Sequence, residues 1–290
     1  MPKVYIKLLL TAFFWGGVYV AGRDVAQYMA PFTVSFLRFL VASICLWGLM
    51  KKFEGGLPRL ERGQWISVAL LGFIGIFAYN ALFFAGLKTV PAGRAAVIIA
   101  MSPMVIALGA AYFFKDSITW RSVAGVLLSA SGVIVAISHG QPWRLLSGGV
   151  SWGDAALLVG VLLWAAYSLL GRHSMKTLSP QASVTYSCLI GAALLFPAAL
   201  AEGIFGPTPR FTLMAWVDVF YLGACGTVLG FTWYYEGVKA LGPARASVFM
   251  NFMPLSAILA GYLLLGEPVH PTLLAGAAMV CSGAYLTNRL

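Results

Sequence analysis

Charge is what this chain has least of. Only 10% of its 290 residues are Asp, Glu, Lys or Arg, against 60% that are hydrophobic, which leaves too little polar surface to clothe a water-soluble globule. The four cysteines (Cys45, Cys188, Cys225 and Cys281) each sit inside an apolar run, and none belongs to a CxxC pair. They read as small buried hydrophobes, neither a disulfide framework nor metal ligands. His139, His173 and His270 are scattered near loops, without the spacing of a metal site. Acids are scarcer than bases, with 9 Asp and Glu against 19 Lys and Arg and a net charge of +10. On a soluble protein that excess would suggest nucleic acid. In a chain this apolar the position of each charge says more than the sum, and no nucleic-acid partner is expected.

One catalytic pattern is present by spacing and fails by context. Gly149-Val150-Ser151-Trp152-Gly153 fits GxSxG, yet no strand precedes it and there is no hydrolase framework around it. Ser151-x-x-Asp154 ahead of an apolar run is better read as a capping box that starts a helix. No catalytic, cofactor or metal constellation remains, so an enzyme is not expected.

What the chain does have is apolar runs of membrane-spanning length. Ten occur, at approximately 4–21, 31–50, 64–87, 95–114, 118–138, 153–171, 181–201, 213–238, 244–265 and 270–287, each near the roughly 20 residues that cross ~30 Å of hydrocarbon as helix. The expected fold is an all-α polytopic membrane protein. The first run follows MPKVYIK but lacks a small-residue cleavage site and carries Phe13, Phe14 and Trp15, so it is expected to be retained as a helix.

The chain also contains itself twice. Ala92–Asp116 returns as Pro243–Glu267, which places Arg94 on Arg245, Pro103 on Pro254 and Asp116 on Glu267; the same offset aligns Trp65 with Trp216, Gly72 with Gly223, and Gly132 with Gly283. Near the N-terminus Trp15 falls on Trp164 and Pro31 on Pro180. The expected division is residues 1–138, a connecting loop at 139–149, and residues 150–290. Five helices per half is an odd number, so the second copy enters the membrane upside down. Counted by side over alternating spans, thirteen Lys and Arg share the side of the termini and five (Arg23, Lys88, Arg94, Arg144 and Arg210) lie on the other. Both termini are therefore expected in the cytoplasm. Inverted repeats favour secondary transport, because two oppositely inserted halves can exchange conformations around a central site.

These features resemble a family. Phe14-Trp15-Gly16, Pro31 followed by Ser35-Phe36-Leu37-Arg38-Phe39, Gly86-Leu87-Lys88, Gly237-Val238-Lys239-Ala240, mid-helix Pro254, Leu265-Gly266-Glu267, and Gly276 with Gly283 are together similar to the drug/metabolite transporter superfamily, in its ten-helix form with two EamA-type repeats. The resemblance covers nearly the whole chain. It implies a bacterial exporter of amino acids and metabolites, aromatic amino acids among them. The small multidrug relatives carry a membrane-embedded Glu in the first helix, whereas here that helix reads LLLTAFFWGGVYVAG. Proton coupling therefore has no carrier there. Glu236 has Lys239 one turn on and is expected to pair with it.

Arg38 lies about seven residues past Pro31, roughly 10 Å into the bilayer at 1.5 Å per residue. An ion at that depth is costly unless solvated or paired. Two roles are open: a cation facing a wet cavity and attracting a substrate carboxylate, or a structural tie to helix backbone. Asn80 and Asn251 are amides within apolar helices and should face a polar interior. Tyr79, Phe83 and Gly86 share one helical face. With Trp15, Met101, Trp164, Tyr167, Ser168 and Tyr234 these residues are the candidate lining of a mainly apolar cavity suited to a medium-sized zwitterion or an aromatic compound; lipid-facing or belt positions are the competing reading for any single aromatic. Pro103 and Pro254 interrupt helices four and nine at matching depths and are expected to kink them, as static bends or as gates. Gly125, Ser129 and Gly132, with Gly276 and Gly283, read as small-residue packing surfaces.

The expected function is export of small metabolites, amino acids first, by a transporter of the cytoplasmic membrane working by alternating access. The expected surroundings are the lipid bilayer and a small-molecule substrate, without cofactor or metal, and a monomer is favoured. Multidrug efflux is the competing transport reading. A membrane-embedded enzyme or lipid scramblase is the reading from another class.

Overall fold

Proline opens five of the ten spans. Its missing N–H costs nothing at the first helical position, where that donor would be orphaned anyway. The computed structural model of the chain describes residues 2–114, 119–141, 143, 150–205 and 212–288. Its spans are α1 Pro2–Val25, α2 Pro31–Phe53, α3 Arg62–Leu87, α4 Ala92–Phe114, α5 Trp120–Ser138, α6 Trp152–Ser174, α7 Pro180–Ala201, α8 Leu213–Leu241, α9 Pro243–Leu265 and α10 Pro271–Asn288. Eight are long and apolar enough to cross a membrane, and α5 and α10 contribute shorter apolar stretches, Val123–Ser138 and Pro271–Leu286. No strand occurs among the described residues. Asp116, Arg144 and Arg210, named above for repeat matching and topology, and Lys115 and Arg289, two of the thirteen basic residues counted on the side of the termini, lie outside the described residues.

The two halves interlock. α1 packs on α8 and α9 of the other half, and α6, its counterpart, packs on α3 and α4; α2 lies against α7, and α5 against α10. The helix ends repeat this exchange. Glu202, just past α7, accepts from the Thr33 amide (2.7 Å), the Phe32 amide and the Thr33 hydroxyl at the start of α2. Glu54, just past α2, accepts from the Ser179 hydroxyl that caps α7. A carboxylate at a helix N-terminus meets unpaired amides and the positive end of the dipole. Ser151 and Asp154 cap α6 reciprocally, as their spacing predicts.

The α5–α10 contact depends on glycine. A Cβ at Gly132 would lie 2.7 Å from the Gly276 carbonyl oxygen, and one at Gly283 would lie 2.5 Å from that of Gly125. The Ser129 hydroxyl donates across the same seam to the Val280 carbonyl. Between helices in lipid, such close backbone approach replaces the hydrophobic drive available in water.

Two departures from the expected helices matter for the site. α4 and α9 are broken rather than bent: α4 stops at Ile99, turns at Ala100–Met101 and restarts at Ser102, while α9 passes through a 3-10 turn, Val248–Phe252, before restarting at Met253. Pro103 and Pro254 sit in the first turn of each restarted segment, where proline opens a helix. The interruption precedes the proline. Second, α3 and α8 contain π-helical segments at equivalent positions, Gly72–Ala78 and Leu222–Leu229. Such segments leave backbone carbonyls poorly served by the helix and recur at functional sites.

Candidate functional site

Arg38 stands between the two π-helical segments. Its Nε donates to Thr227 Oγ1 (2.9 Å) on α8, and its Nη1 donates to Asn80 Oδ1 (3.1 Å) on α3. Both partners are anchored to the irregular backbone. Asn80 Nδ2 donates to the Ile76 carbonyl (2.9 Å) and the Gly75 carbonyl (3.3 Å), and Thr227 Oγ1 donates to the Leu222 carbonyl (3.0 Å). Carbonyls loosened by the π turns are thus satisfied by two side chains whose remaining oxygens receive the guanidinium. The cation also lies 5.1 Å from the Phe39 ring centroid and 5.8 Å from that of Phe231. At 2% exposure, and with no acidic partner among the described residues, it would be costly without these neutral compensations.

The guanidinium borders a cavity of about 30 Å³ in the middle of the bundle, room for one or two waters. Trp15, Val18 and Tyr19 of α1, Tyr79 and Phe83 of α3, Ile99 of α4, Trp164 of α6, Phe231 of α8, and Met250 and Met253 of α9 complete its wall. Trp164 is the hub of the aromatic layer, with ring centroids 5.2 Å from Trp15, 5.3 Å from Phe231 and 5.4 Å from Tyr79. The i, i+4 pairs Trp15/Tyr19 and Tyr79/Phe83 project from one helical face each. Among the described residues lining the cavity, Arg38 alone carries charge.

Of the candidates read from the sequence, Trp15, Arg38, Tyr79, Phe83 and Trp164 come together on this wall. The others do not reach it. Asn80 is fully buried behind Arg38. Tyr167 packs on the far side of Trp164 and bonds Ser187, and Ser168 bonds the Trp164 carbonyl and the Tyr234 hydroxyl. Tyr234 borders a separate crevice with Leu8, Thr11 and Phe249. Asn251 turns toward α10, where it exchanges contacts with Cys281. Met101 occupies the break in α4 and packs on the core. The repeat could have supplied one missed residue, since Phe231 is the counterpart of Asn80, whereas Met250 and its counterpart Ile99 were both missed. Tyr19 was signalled by its position one turn after Trp15.

Ion pairs close the bundle at both ends. At one, Arg23 bonds the Leu87 carbonyl and approaches Glu267 (3.9 Å), whose carboxylate receives the Ala92 amide (3.0 Å) at the start of α4. Nearby, Arg94 pairs with buried Asp154. At the end bearing the N-terminus, Glu236 pairs with Lys7 of α1 (2.5 Å). The expected partner, Lys239, is exposed instead, because α1 packs along the Glu236 face of α8 and brings its own cation.

Comparison with known proteins adds to this geometry. The model of the EamA-like transporter family matches residues 2–138 and again 151–289. An uncharacterized transporter of Bacillus subtilis, YyaM, is 29% identical over 99% of this chain and 93% of its own length. A probable terminal-alkyne amino-acid exporter of Streptantibioticus cattleyicolor is 28% identical over 100% of this chain and 94% of its own. An S-adenosylmethionine/S-adenosylhomocysteine transporter of Chlamydia trachomatis is 26% identical over 96% and 87%. A solved crystal structure shares the fold, with a TM-score of 0.73 at 19% identity over 98% of this chain and 97% of that one.

Proposed function

The chain belongs to the EamA-like transporter family, and from that premise we propose that it is a secondary transporter exporting amino acids, aromatic and other neutral ones included, and related small metabolites across the cytoplasmic membrane by alternating access. The observation that carries this reading is Arg38, a buried cation on the wall of an aromatic cavity between inverted halves. A substrate carboxylate would meet the guanidinium, and an aromatic or aliphatic side chain would meet Trp15, Trp164 and Phe231. The names of two relatives, an amino-acid exporter and a transporter of S-adenosylmethionine, support a substrate of this class.

The size of the cavity supports the alternating part. Ligand sites run to ~300–1,000 Å³, against about 30 Å³ here, so loading requires the halves to separate. The breaks in α4 and α9 supply two flexible joints beside Ile99, Met250 and Met253. The excess of Lys and Arg on the side of the termini supports a cytoplasmic location for both. Efflux of cationic drugs gains support from the aromatic wall but not from its charge.

Uptake of radiolabelled phenylalanine into proteoliposomes tests the proposal. The Arg38→Gln variant is expected to lose at least about tenfold of the rate, the scale of a charged contact, while Arg245→Gln, at an exposed position, stays within about twofold. Equal and mild effects would remove Arg38 from the substrate path, and absence of any amino-acid uptake would remove the substrate class.

A further inference from the structure

We propose that the cavity is closed by two gates at mirrored helix crossings: an outer one where α1 meets α3, fastened by Arg23, and a cytoplasmic one where α6 meets α8, fastened by the hydroxyls of Tyr234 and Tyr235. The inference rests on the transport reading above, with its cytoplasmic termini, and assigns the contacts that part when the cavity loads from either side.

The cavity wall comes from two groups of helices. On one side α1 packs along α8 and α9; on the other α6 packs along α3 and α4. Access to the cavity therefore requires ties between these groups to break. α1 meets α3, and α6 meets α8, in short crossings, and the repeat maps one crossing onto the other. Gly22 falls on Gly171, Arg23 on Arg172, Phe83 on Tyr234, Phe84 on Tyr235 and Leu87 on Val238. Glycine seats both. A Cβ at Gly22 would lie 2.8 Å from Leu87 Cδ1, and one at Gly171 would lie 2.4 Å from the Tyr235 hydroxyl oxygen.

The two crossings are fastened by different chemistry. At the outer one Arg23 donates to the Leu87 carbonyl and approaches Glu267 at 3.9 Å. That carbonyl is open to a side chain because Pro91, four residues on, has no N–H to give it. Glu267, just past α9, accepts the Ala92 amide at the start of α4 (3.0 Å), which adds a second tie between the groups. This lock is not repeated at the cytoplasmic crossing. The Val238 carbonyl is taken by the Gly242 N–H at 2.9 Å, and Pro243, which has no N–H, stands where Ala92 would. Arg172 lies over Phe114 instead, 4.1 Å from the ring centroid. Tyrosine takes over the fastening. The Tyr235 hydroxyl donates to the Tyr167 carbonyl at 3.1 Å, and the Tyr234 hydroxyl meets that of Ser168 at 3.0 Å; Phe83 and Phe84, at the mirrored outer positions, have no hydroxyl. Both gates are closed at once, in keeping with a cavity of about 30 Å³.

Access to the cavity from each face of the membrane tests the assignment without a transported substrate. In a full-length variant whose native cysteines are serines, Ile99→Cys puts a thiol on the cavity wall. Its rate of reaction with an impermeant, sulfonate-bearing methanethiosulfonate is measured in intact cells and in inverted membrane vesicles. Arg23→Met should speed the reaction in cells at least about tenfold, the scale of one lost charged hydrogen bond, and in vesicles by no more than about twofold. Tyr234→Phe combined with Tyr235→Phe should do the opposite, speeding the reaction in vesicles about 3- to 10-fold and leaving cells within about twofold. If Arg23→Met does not reach the membrane, Glu267→Gln reads the same gate with the same sign. Equal acceleration from both faces, acceleration from the wrong face, or unchanged rates overturn the gates as assigned and leave the transport reading standing. A thiol that reacts from neither face in the parent and in every variant removes alternating access, and the gates with it.

Discussion

Thr227→Val tests whether Arg38 is held in place from α8. Valine keeps the shape of threonine and deletes one oxygen. In the wild-type protein that oxygen accepts from Arg38 Nε at 2.9 Å and donates to the Leu222 carbonyl at 3.0 Å. The first bond involves a charged donor, with a typical net contribution of about 1.5–3 kcal/mol, and the second is an ordinary bond of about 1 kcal/mol. Neither group gains an alternative partner from a methyl group, although cavity water can recover part of the loss at Arg38. The expected cost is thus about 2–4 kcal/mol, which corresponds to a melting temperature lower by roughly 5–10 °C. Function should fall for a separate reason. With only the Asn80 tie remaining, the guanidinium samples more rotamers, and the KM for phenylalanine should rise about 3- to 10-fold with a smaller change in maximal rate. Thr227→Ser, which restores the oxygen, should recover most of both losses. Calorimetry in detergent and uptake in proteoliposomes read the two effects. A valine variant that melts within about 1 °C of wild type with an unchanged KM refutes the reasoning, and so does a serine variant as damaged as the valine one.

Trp164→Ala should lower phenylalanine transport relative to threonine transport at matched reconstitution levels, since it removes the hub ring of the cavity wall; an unchanged ratio would place Trp164 outside the substrate path. Gly132→Leu drives a side chain into the Gly276 carbonyl, 2.7 Å from where its Cβ would stand, and should cost about 1–3 kcal/mol or more through overpacking. Gly48→Leu, with nothing within 4 Å, should leave the melting temperature and the gel-filtration profile of wild type, and equal behaviour of the two variants would contradict the α5–α10 seam. In a variant whose four native cysteines are serines, single cysteines at Lys52, in the last turn of α2, and at Lys88, just past α3, should react with an impermeant thiol reagent from opposite sides of the membrane. Labelling from one side only would sink the alternating topology.

How the candidate lining divided shows where sequence legibility ends. Trp15, Tyr79, Phe83 and Trp164 were read as lining because large aromatics at helical spacing mark a face, and the repeat matches Trp15 with Trp164 and Phe83 with Tyr234. Asn80 was read as part of the lining and stands behind Arg38 instead. Its amide serves the π segment and Arg38, and nothing in GFIGIFA announces a π turn. Asn251 has equally polar chemistry and points to α10, because the 3-10 turn at Val248–Phe252 rotates it away from the face a continuous helix would give. Met101 stands off the wall for the same kind of reason, the break at Ala100–Met101.

Sequence alone determined the number of spans, their doubling, their inversion and the family, because each of these depends on one-dimensional quantities: run length, an offset between matching residues, and the odd count of helices per half. It also determined the cap at Ser151, which is built from residues three apart. Tertiary structure decided which face of each helix looks inward. Lipid and protein core are both apolar, so the exposed Tyr112 and Phe113 and the buried Phe39 and Phe231 are indistinguishable by hydropathy, and the amphipathic contrast that orients a helix in water is missing. Tertiary structure alone also joined Arg38 to Thr227, 189 residues away. That bond depends on two helices from opposite halves meeting at their irregular turns, a meeting that no local pattern encodes.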